Sequence, residues 1–133
     1  MTPGRIAGID HVSLPMRDTL AMVAFYRSLG FDVAELAAVV SVHAGGQMVN
    51  FHRPETWGRE GFTLRAPAAT PPCGDLCFVW EGSQESLGAL LDDIGAAIEE
   101  GPVARHGGRG ADGTSVYVRD PDGNLVEFMT YDG

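Results

Sequence analysis

A helical pattern recurs in this chain at an interval of 65 positions. In the first copy, Met22, Phe25, Tyr26 and Leu29 have the i, i+3, i+4, i+7 spacing of one helix face, and Gly30 can end the helix. The corresponding residues of the second copy are Leu87, Leu90, Leu91, Ile94 and Gly95. Because a repeat of this kind usually reflects a repeated structural unit, the chain is predicted to contain two similar modules.

Strand-like segments surround both helices in the same order. In the first copy a strand within residues 5–15 precedes a helix that Asp18 can cap, and the segments that follow are FDVAEL, AVVSVHA and QMVNFHRP. In the second copy DLCFVW precedes a helix that Ser83 can cap, and the strands after it lie near IEEGPVAR, in GTSVYVRD and in LVEFMTY. The glycines in AVVSVHAGGQMVNF are typical of a hairpin turn.

The fold class predicted from this order is α+β, with two tandem βαβββ modules whose curved mixed sheets enclose a cleft. A single domain would span residues 5–133. Its first module would cover about residues 5–54, a connector rich in proline and glycine residues 55–74, and the second module about residues 75–133.

The charge of the chain restricts its partners. A formal net charge of -9 and a pI near 4.6 would repel nucleic acid and anionic membrane surfaces, so a small molecule is the more plausible partner. No apolar run is long enough to span a bilayer and the first ten residues lack a secretory signal, which predicts a cytoplasmic protein. The two cysteines, Cys73 and Cys77, are expected to be reduced thiols.

Glu127 stands in the middle of an otherwise apolar strand segment, where an unpaired carboxylate would cost several kcal/mol. Aligning the two modules places Asn50 opposite Glu127 and His11 opposite Asp75. Each of these four residues has apolar neighbours that would point to the other face of its strand. The four polar side chains are therefore predicted to line a cleft.

Imidazole, amide and carboxylate donors from related strands suit a hard or borderline divalent cation, which would also compensate for the charge of Glu127. The sequence does not identify the cation, which can be manganese, iron, nickel, zinc or magnesium. His52 lies two residues after Asn50 and shares its face, so it can either reach the cation or transfer a proton beside it.

The segments that open and close the chain, IDHVSLPMRDTLAMVAFYRSLGF and RDPDGNLVEF, and the paired modules resemble the vicinal oxygen chelate superfamily. This superfamily contains glyoxalase I, extradiol dioxygenases, fosfomycin resistance enzymes and bleomycin-binding proteins. The resemblance covers about residues 7 to 131 and is strongest to the group called glyoxalase domain-containing proteins. It implies a homodimer and metal ligands at His11, Asn50, Asp75 and Glu127.

Two of these positions depart from the pattern of the resembled enzymes. Glyoxalase I has a glutamate where this chain has Asn50, and an amide cannot act as a general base, which disfavours authentic glyoxalase I chemistry. Extradiol dioxygenases have a histidine where this chain has Asp75, so an ordinary iron triad of two histidines and one carboxylate is also disfavoured.

Three further residues are candidates for substrate binding. Cys77 shares a strand face with Asp75 and can contact a bound molecule. Arg109 and Arg119 lie in or beside the glycine-rich stretch HGGRGADG, which has the composition of a mobile lid, and an arginine there can clamp a carboxylate or phosphate.

The predicted function is that of a metal-dependent enzyme of the glyoxalase or dioxygenase type, which binds a small substrate through vicinal oxygens, with His52 moving a proton. The alternative is a binding protein of the bleomycin-resistance type that sequesters a drug or metabolite without catalysis; a third possibility is a cleft that has lost its role. Whether the cleft lies within one chain or between two subunits is open at this point.

Overall fold

A computed structural model describes residues 3–131 and contains two four-stranded sheets. The first module consists of β1 (His11–Pro15), α1 (Thr19–Ser28), β2 (Asp32–Glu35), β3 (Val39–Ala44) and β4 (Gln47–His52), followed by the short helix α2 (Pro54–Trp57). The second consists of β5 (Asp75–Val79), α3 (Gln84–Asp93), β6 (Glu100–His106), β7 (Asp112–Arg119) and β8 (Leu125–Thr130). The predicted α+β class with two βαβββ modules is confirmed.

The two sheets have the same topology. Their strand orders are β1-β4-β3-β2 and β5-β8-β7-β6, with the first pair of each sheet parallel and the others antiparallel. The first strand occupies only His11–Pro15 of the predicted segment 5–15, and α2 overlaps the start of the predicted connector at residues 55–74. None of the helices in the described residues is long and apolar enough to cross a membrane.

Both long helices begin and end where the sequence predicts. The Asp18 side chain accepts a hydrogen bond from the backbone N of Ala21, and the Ser83 side chain accepts one from Ser86. Gly30 and Gly95 follow the last helical residues with φ of +96° and +73°, a left-handed conformation that glycine adopts without steric cost.

One face of each sheet packs with α1 and α3 into a single core, while the other face of each sheet carries the polar residues. Side chains alternate between the two faces along each strand. The core residues of the two sheets are Val33, Val40, Val42, Val49 and Phe51 from the first and Val116, Val118, Val126 and Phe128 from the second. Both apolar faces therefore contribute to the same core.

A buried turn between β7 and β8 joins the modules. Asp120 Oδ1 accepts hydrogen bonds from three backbone N atoms of the turn at 2.9–3.1 Å, and its Oδ2 accepts the Tyr26 hydroxyl of α1 at 2.7 Å. Asp122 accepts hydrogen bonds from the backbone N–H groups of Arg17 and Asp18, which directly precede the same helix. The turn therefore fixes α1 against the second module.

The bond between Tyr26 and Asp120 predicts a pH dependence of stability. Burial and the neighbouring Asp120 carboxylate raise the pKa of Tyr26 well above its ordinary value. Above about pH 10 the unfolded tyrosine loses its proton while the folded one keeps it, so the unfolding free energy should fall by about 1.4 kcal/mol per pH unit from this residue. Urea unfolding of the parent and of Tyr26→Phe at several alkaline pH values tests this. Above pH 10 the unfolding free energy of the variant should fall less steeply with pH than that of the parent, and an equal fall in both would contradict the prediction.

Candidate functional site

The first polar face contains two of the predicted metal ligands. His11 lies on the edge strand β1, and its Nδ1 is 2.7 Å from Asp10 Oδ2, which leaves Nε2 as the nitrogen that can bind a metal. Asn50 lies on β4, and its Oδ1 accepts a 2.6 Å hydrogen bond from the buried Ser41 hydroxyl. The side chains of both candidate ligands are thus oriented by a hydrogen-bonded neighbour.

His52 lies on the same face as Asn50, at the end of β4, and contacts the connector. Its ring centroid is 5.5 Å from that of Phe62 in an edge-to-face arrangement. Burial and the positive charge of Arg65 lower the pKa of His52, so the imidazole is neutral at pH 7. A neutral imidazole can accept a proton, which is the role predicted for this residue.

The second polar face contains the other two predicted ligands. Glu127, on β8, is half-buried and its Oε2 accepts a 2.6 Å hydrogen bond from the fully buried Ser115 hydroxyl. Cys77, on the neighbouring β5, is directly opposite Glu127 in the strand register. Partial burial and the Glu127 and Asp75 carboxylates raise the pKa of Cys77 to about 12, so its thiol is protonated near neutral pH. Asp75 is exposed at the start of β5.

The four predicted ligands lie on two different sheets, His11 and Asn50 on the first and Asp75 and Glu127 on the second. In the part of the chain that the structure describes, no three histidine, cysteine, aspartate or glutamate side chains are close enough together to hold a metal ion. The four candidate ligands thus form two half sites, one on each sheet.

Both half sites adjoin a sheet edge that pairs with no further strand among residues 3–131. His11 is on β1 and Asp75 on β5, and each of these strands is the outer strand of its sheet. Apolar side chains near these edges are exposed: Ile9 is 66% exposed, Val12 39% and Val79 49%. Unpaired edges with exposed apolar residues are surfaces that proteins usually cover with another chain or element.

The residues of the two half sites fit a divalent cation only when both halves are combined. The first half offers the Nε2 of His11 and the amide of Asn50, and the second offers the carboxylates of Asp75 and Glu127. Such a mixed nitrogen and oxygen donor set, with two negative charges, matches the preferences of manganese, iron, nickel, zinc or magnesium.

The two arginines predicted to bind substrate differ in their surroundings. Arg119 donates two hydrogen bonds to the Glu99 carboxylate at 3.0 and 3.1 Å and a third to the Gly123 carbonyl, which does not favour a role as a substrate clamp. Arg109, in the loop between β6 and β7, lines a cavity that Cys77 also lines. A contact between these two residues and one bound molecule remains a prediction.

Sequence reasoning missed the groups that support the candidate ligands. Ser41 lies on the strand next to Asn50 and orients its side chain, and Ser115 does the same for Glu127. A serine inside a strand gives no signal of this role in a single sequence. The contact of the connector with His52 was missed as well, since the connector has no periodic pattern.

Comparison with known proteins shows the family to which the chain belongs. The family model described as the glyoxalase/bleomycin resistance protein/dioxygenase superfamily matches residues 8–128. The virulence protein STM3117 of Salmonella typhimurium is 34% identical over 125 residues, covering 92% of this chain and 83% of that protein. Its crystal structure has a TM-score of 0.84 and covers 97% of this chain and 100% of that one.

Two further proteins extend the comparison. The glyoxalase domain-containing protein RDO1 of Mycosarcoma maydis is 34% identical over 127 residues, covering 95% of this chain and 69% of that protein. A lactoylglutathione lyase from Agrobacterium tumefaciens, 24% identical with a TM-score of 0.70 and covering 97% of this chain and 96% of that one, shares the fold. From the family match and the relatives above 30% identity, the chain belongs to the glyoxalase/bleomycin resistance protein/dioxygenase superfamily.

Proposed function

We propose that this protein is a metal-dependent enzyme that binds a small oxygen-bearing substrate through two neighbouring oxygens. The observation that carries the proposal is the pair of oriented half sites. His11 is held by Asp10, and Glu127 by the buried Ser115, as expected for side chains that must present one fixed atom to a cation. Partial burial of the Glu127 carboxylate is costly unless neighbouring groups offset its charge, and a bound cation would do so.

Each complete site would combine the two half sites of different subunits in a homodimer. The first polar face of one chain, with His11 and Asn50, would meet the second polar face of its partner. This pairing would also cover the exposed edges β1 and β5 and the apolar residues beside them. A symmetric dimer built in this way would contain two identical sites.

The bound cation would act as a Lewis acid that polarises the substrate oxygens and stabilises negative charge on them. His52 is the residue best suited to move a proton, because its imidazole is neutral at pH 7 and lies on the same face as Asn50. Phe62 packs edge to face against that ring. Asn50 cannot accept a proton, so the reaction would differ from that of glyoxalase I in its base; lyase and dioxygenase chemistry both fit.

The second candidate function is binding without catalysis, as in the bleomycin-resistance members of the superfamily. It is favoured by a cavity of about 430 Å³ beside the second polar face, a volume within the range of small-molecule sites. In that case the protein would bind its ligand equally well in the absence of metal.

Elemental analysis of protein purified without added metal or chelator distinguishes the two functions. The enzyme proposal predicts close to one transition metal ion per chain, or tight uptake when manganese, iron, nickel or zinc is offered to chelator-treated protein. A chain that carries no metal and takes up none of these ions would contradict the enzyme proposal and leave the binding function.

A further inference from the structure

A cavity of about 430 Å³ lies between the two modules of one chain. The end of α1 and the β3–β4 hairpin form one side of it, and β5 with the residues that follow forms the other. Residues of both modules of one chain thus line the cavity. Its volume falls in the range of about 300–1,000 Å³ that is typical of sites for small molecules.

Aromatic side chains give the cavity a rigid apolar wall. Phe31 and Phe78 pack edge to face with ring centroids 4.7 Å apart, which joins the two modules at this point. Phe128 is 6.1 Å from Phe78 and almost fully buried. Trp80 completes this wall, and its indole nitrogen is held by the Ser86 hydroxyl at 3.2 Å. Such a surface suits an aromatic or branched apolar group.

Arg109 supplies a positive charge at this apolar wall. Its guanidinium carbon is 4.5 Å from the centroid of the Tyr131 ring, a cation–π contact that holds the side chain in place. The loop that carries Arg109 is fixed as well: its backbone N donates to the Tyr131 hydroxyl, and Gly107 packs so closely on Tyr131 and Met129 that no side chain would fit there. The Arg109 guanidinium thus lies against the Tyr131 ring, at the wall of the cavity.

We propose that this cavity binds a small carboxylic acid with an aromatic or branched apolar body. The carboxylate would accept hydrogen bonds from the Arg109 guanidinium, and the apolar body would contact Phe78 and Trp80. The planar guanidinium can donate two parallel hydrogen bonds to a carboxylate, which a neutral group cannot match.

Glu81 is the one carboxylate among the described residues of the wall, and it is exposed. Its charge would repel an anionic ligand and so reduce affinity without blocking entry. Removing this charge should therefore have the opposite effect to removing that of Arg109.

The cavity is connected to the proposed reaction through Cys77, which lines it and lies opposite Glu127 in the strand register. A ligand with its carboxylate at Arg109 could extend its far end towards the second polar face. That part of the inference, a substrate class for the enzyme, rests on the proposed function; binding to the cavity itself does not.

Equilibrium dialysis of 2-naphthoate against the full chain in buffer containing EDTA tests the cavity without metal. We expect a dissociation constant below about 1 mM for 2-naphthoate and at least about tenfold weaker binding of the neutral 2-naphthamide. Arg109→Gln should weaken naphthoate binding by about tenfold or more, whereas Glu81→Gln should strengthen it a few-fold.

Arg105→Gln is the matched control, because Arg105 is an exposed arginine on β6 that pairs with Tyr117 and Glu100 outside the cavity. It should leave naphthoate binding unchanged, and thermal unfolding should show that all three variants are folded. Equal affinity for the acid and the amide, or equal loss in Arg105→Gln and Arg109→Gln, would overturn the proposal. Naphthoate binding by a protein that takes up no metal would support the cavity and contradict only the proposed enzyme function.

Discussion

Replacing Glu127 by glutamine is expected to lower the affinity for a divalent transition metal by at least about 100-fold. The substitution keeps the size of the side chain and its contact with Ser115 but removes the negative charge that would bind the cation. Isothermal titration of chelator-treated protein with manganese, nickel and zinc measures the change. His11→Ala should give a loss of similar size, since it removes the nitrogen donor of the other half site.

Glu85→Gln serves as the control for this experiment. Glu85 is an exposed carboxylate in the first turn of α3, so the variant has the same change in net charge as Glu127→Gln. Its metal affinity should equal that of the parent. If Glu127→Gln also retained the parent affinity, Glu127 would not be a ligand, and its half-buried charge would need another explanation.

Replacing Asp120 by alanine is expected to lower the unfolding free energy by about 3–5 kcal/mol. Asp120 is 4% exposed and accepts hydrogen bonds from three backbone N–H groups, the Tyr26 hydroxyl and the Asn124 amide. Its removal would leave these buried donors without partners, and each unsatisfied donor is costly. Urea unfolding followed by tryptophan fluorescence measures the loss.

The control for the Asp120 variant is Asp112→Ala. Asp112 is exposed, and its one ion pair with a described residue is with the exposed His106. Its replacement should therefore change the unfolding free energy by less than about 0.5 kcal/mol. A similar small effect of Asp120→Ala would show that the turn does not hold the modules together.

The sequence predicts the features of this fold that depend on nearby residues. The helix face at Met22, the cap at Asp18 and the glycine at position 30 are local signals that recur 65 positions later. The structure confirms both helices and their caps. The face of a strand on which a side chain lies was also predictable. Side chains alternate along a strand, so Asn50 and His52 lie on the same face regardless of the tertiary structure.

The relation between the two modules was not predictable in this way. The bond from Tyr26 to Asp120 spans 94 positions, and the sequence around Asp120 indicates only a turn. Whether His11 approaches Glu127 of the same chain or of a second chain depends on how the sheets pack. The pattern of polar residues along each strand is the same in both cases, so the sequence does not distinguish them. Similarly, Phe62 reaches His52 through a connector without periodicity.

The most direct test of the account is a mixing experiment with two variants. His11→Ala and Glu127→Gln are each expected to bind metal poorly. If every site combines His11 of one subunit with Glu127 of the other, refolding the two variants together in equal amounts should create mixed dimers in which one site is intact.

Metal titration of that mixture should then recover about a quarter of the tight sites of the parent, because half of the dimers are mixed and each has one intact site of two. The two variants refolded separately and then combined provide the baseline. Recovery of tight binding only after joint refolding is the predicted result. No recovery, with both variants folded and dimeric, would contradict a site shared between subunits.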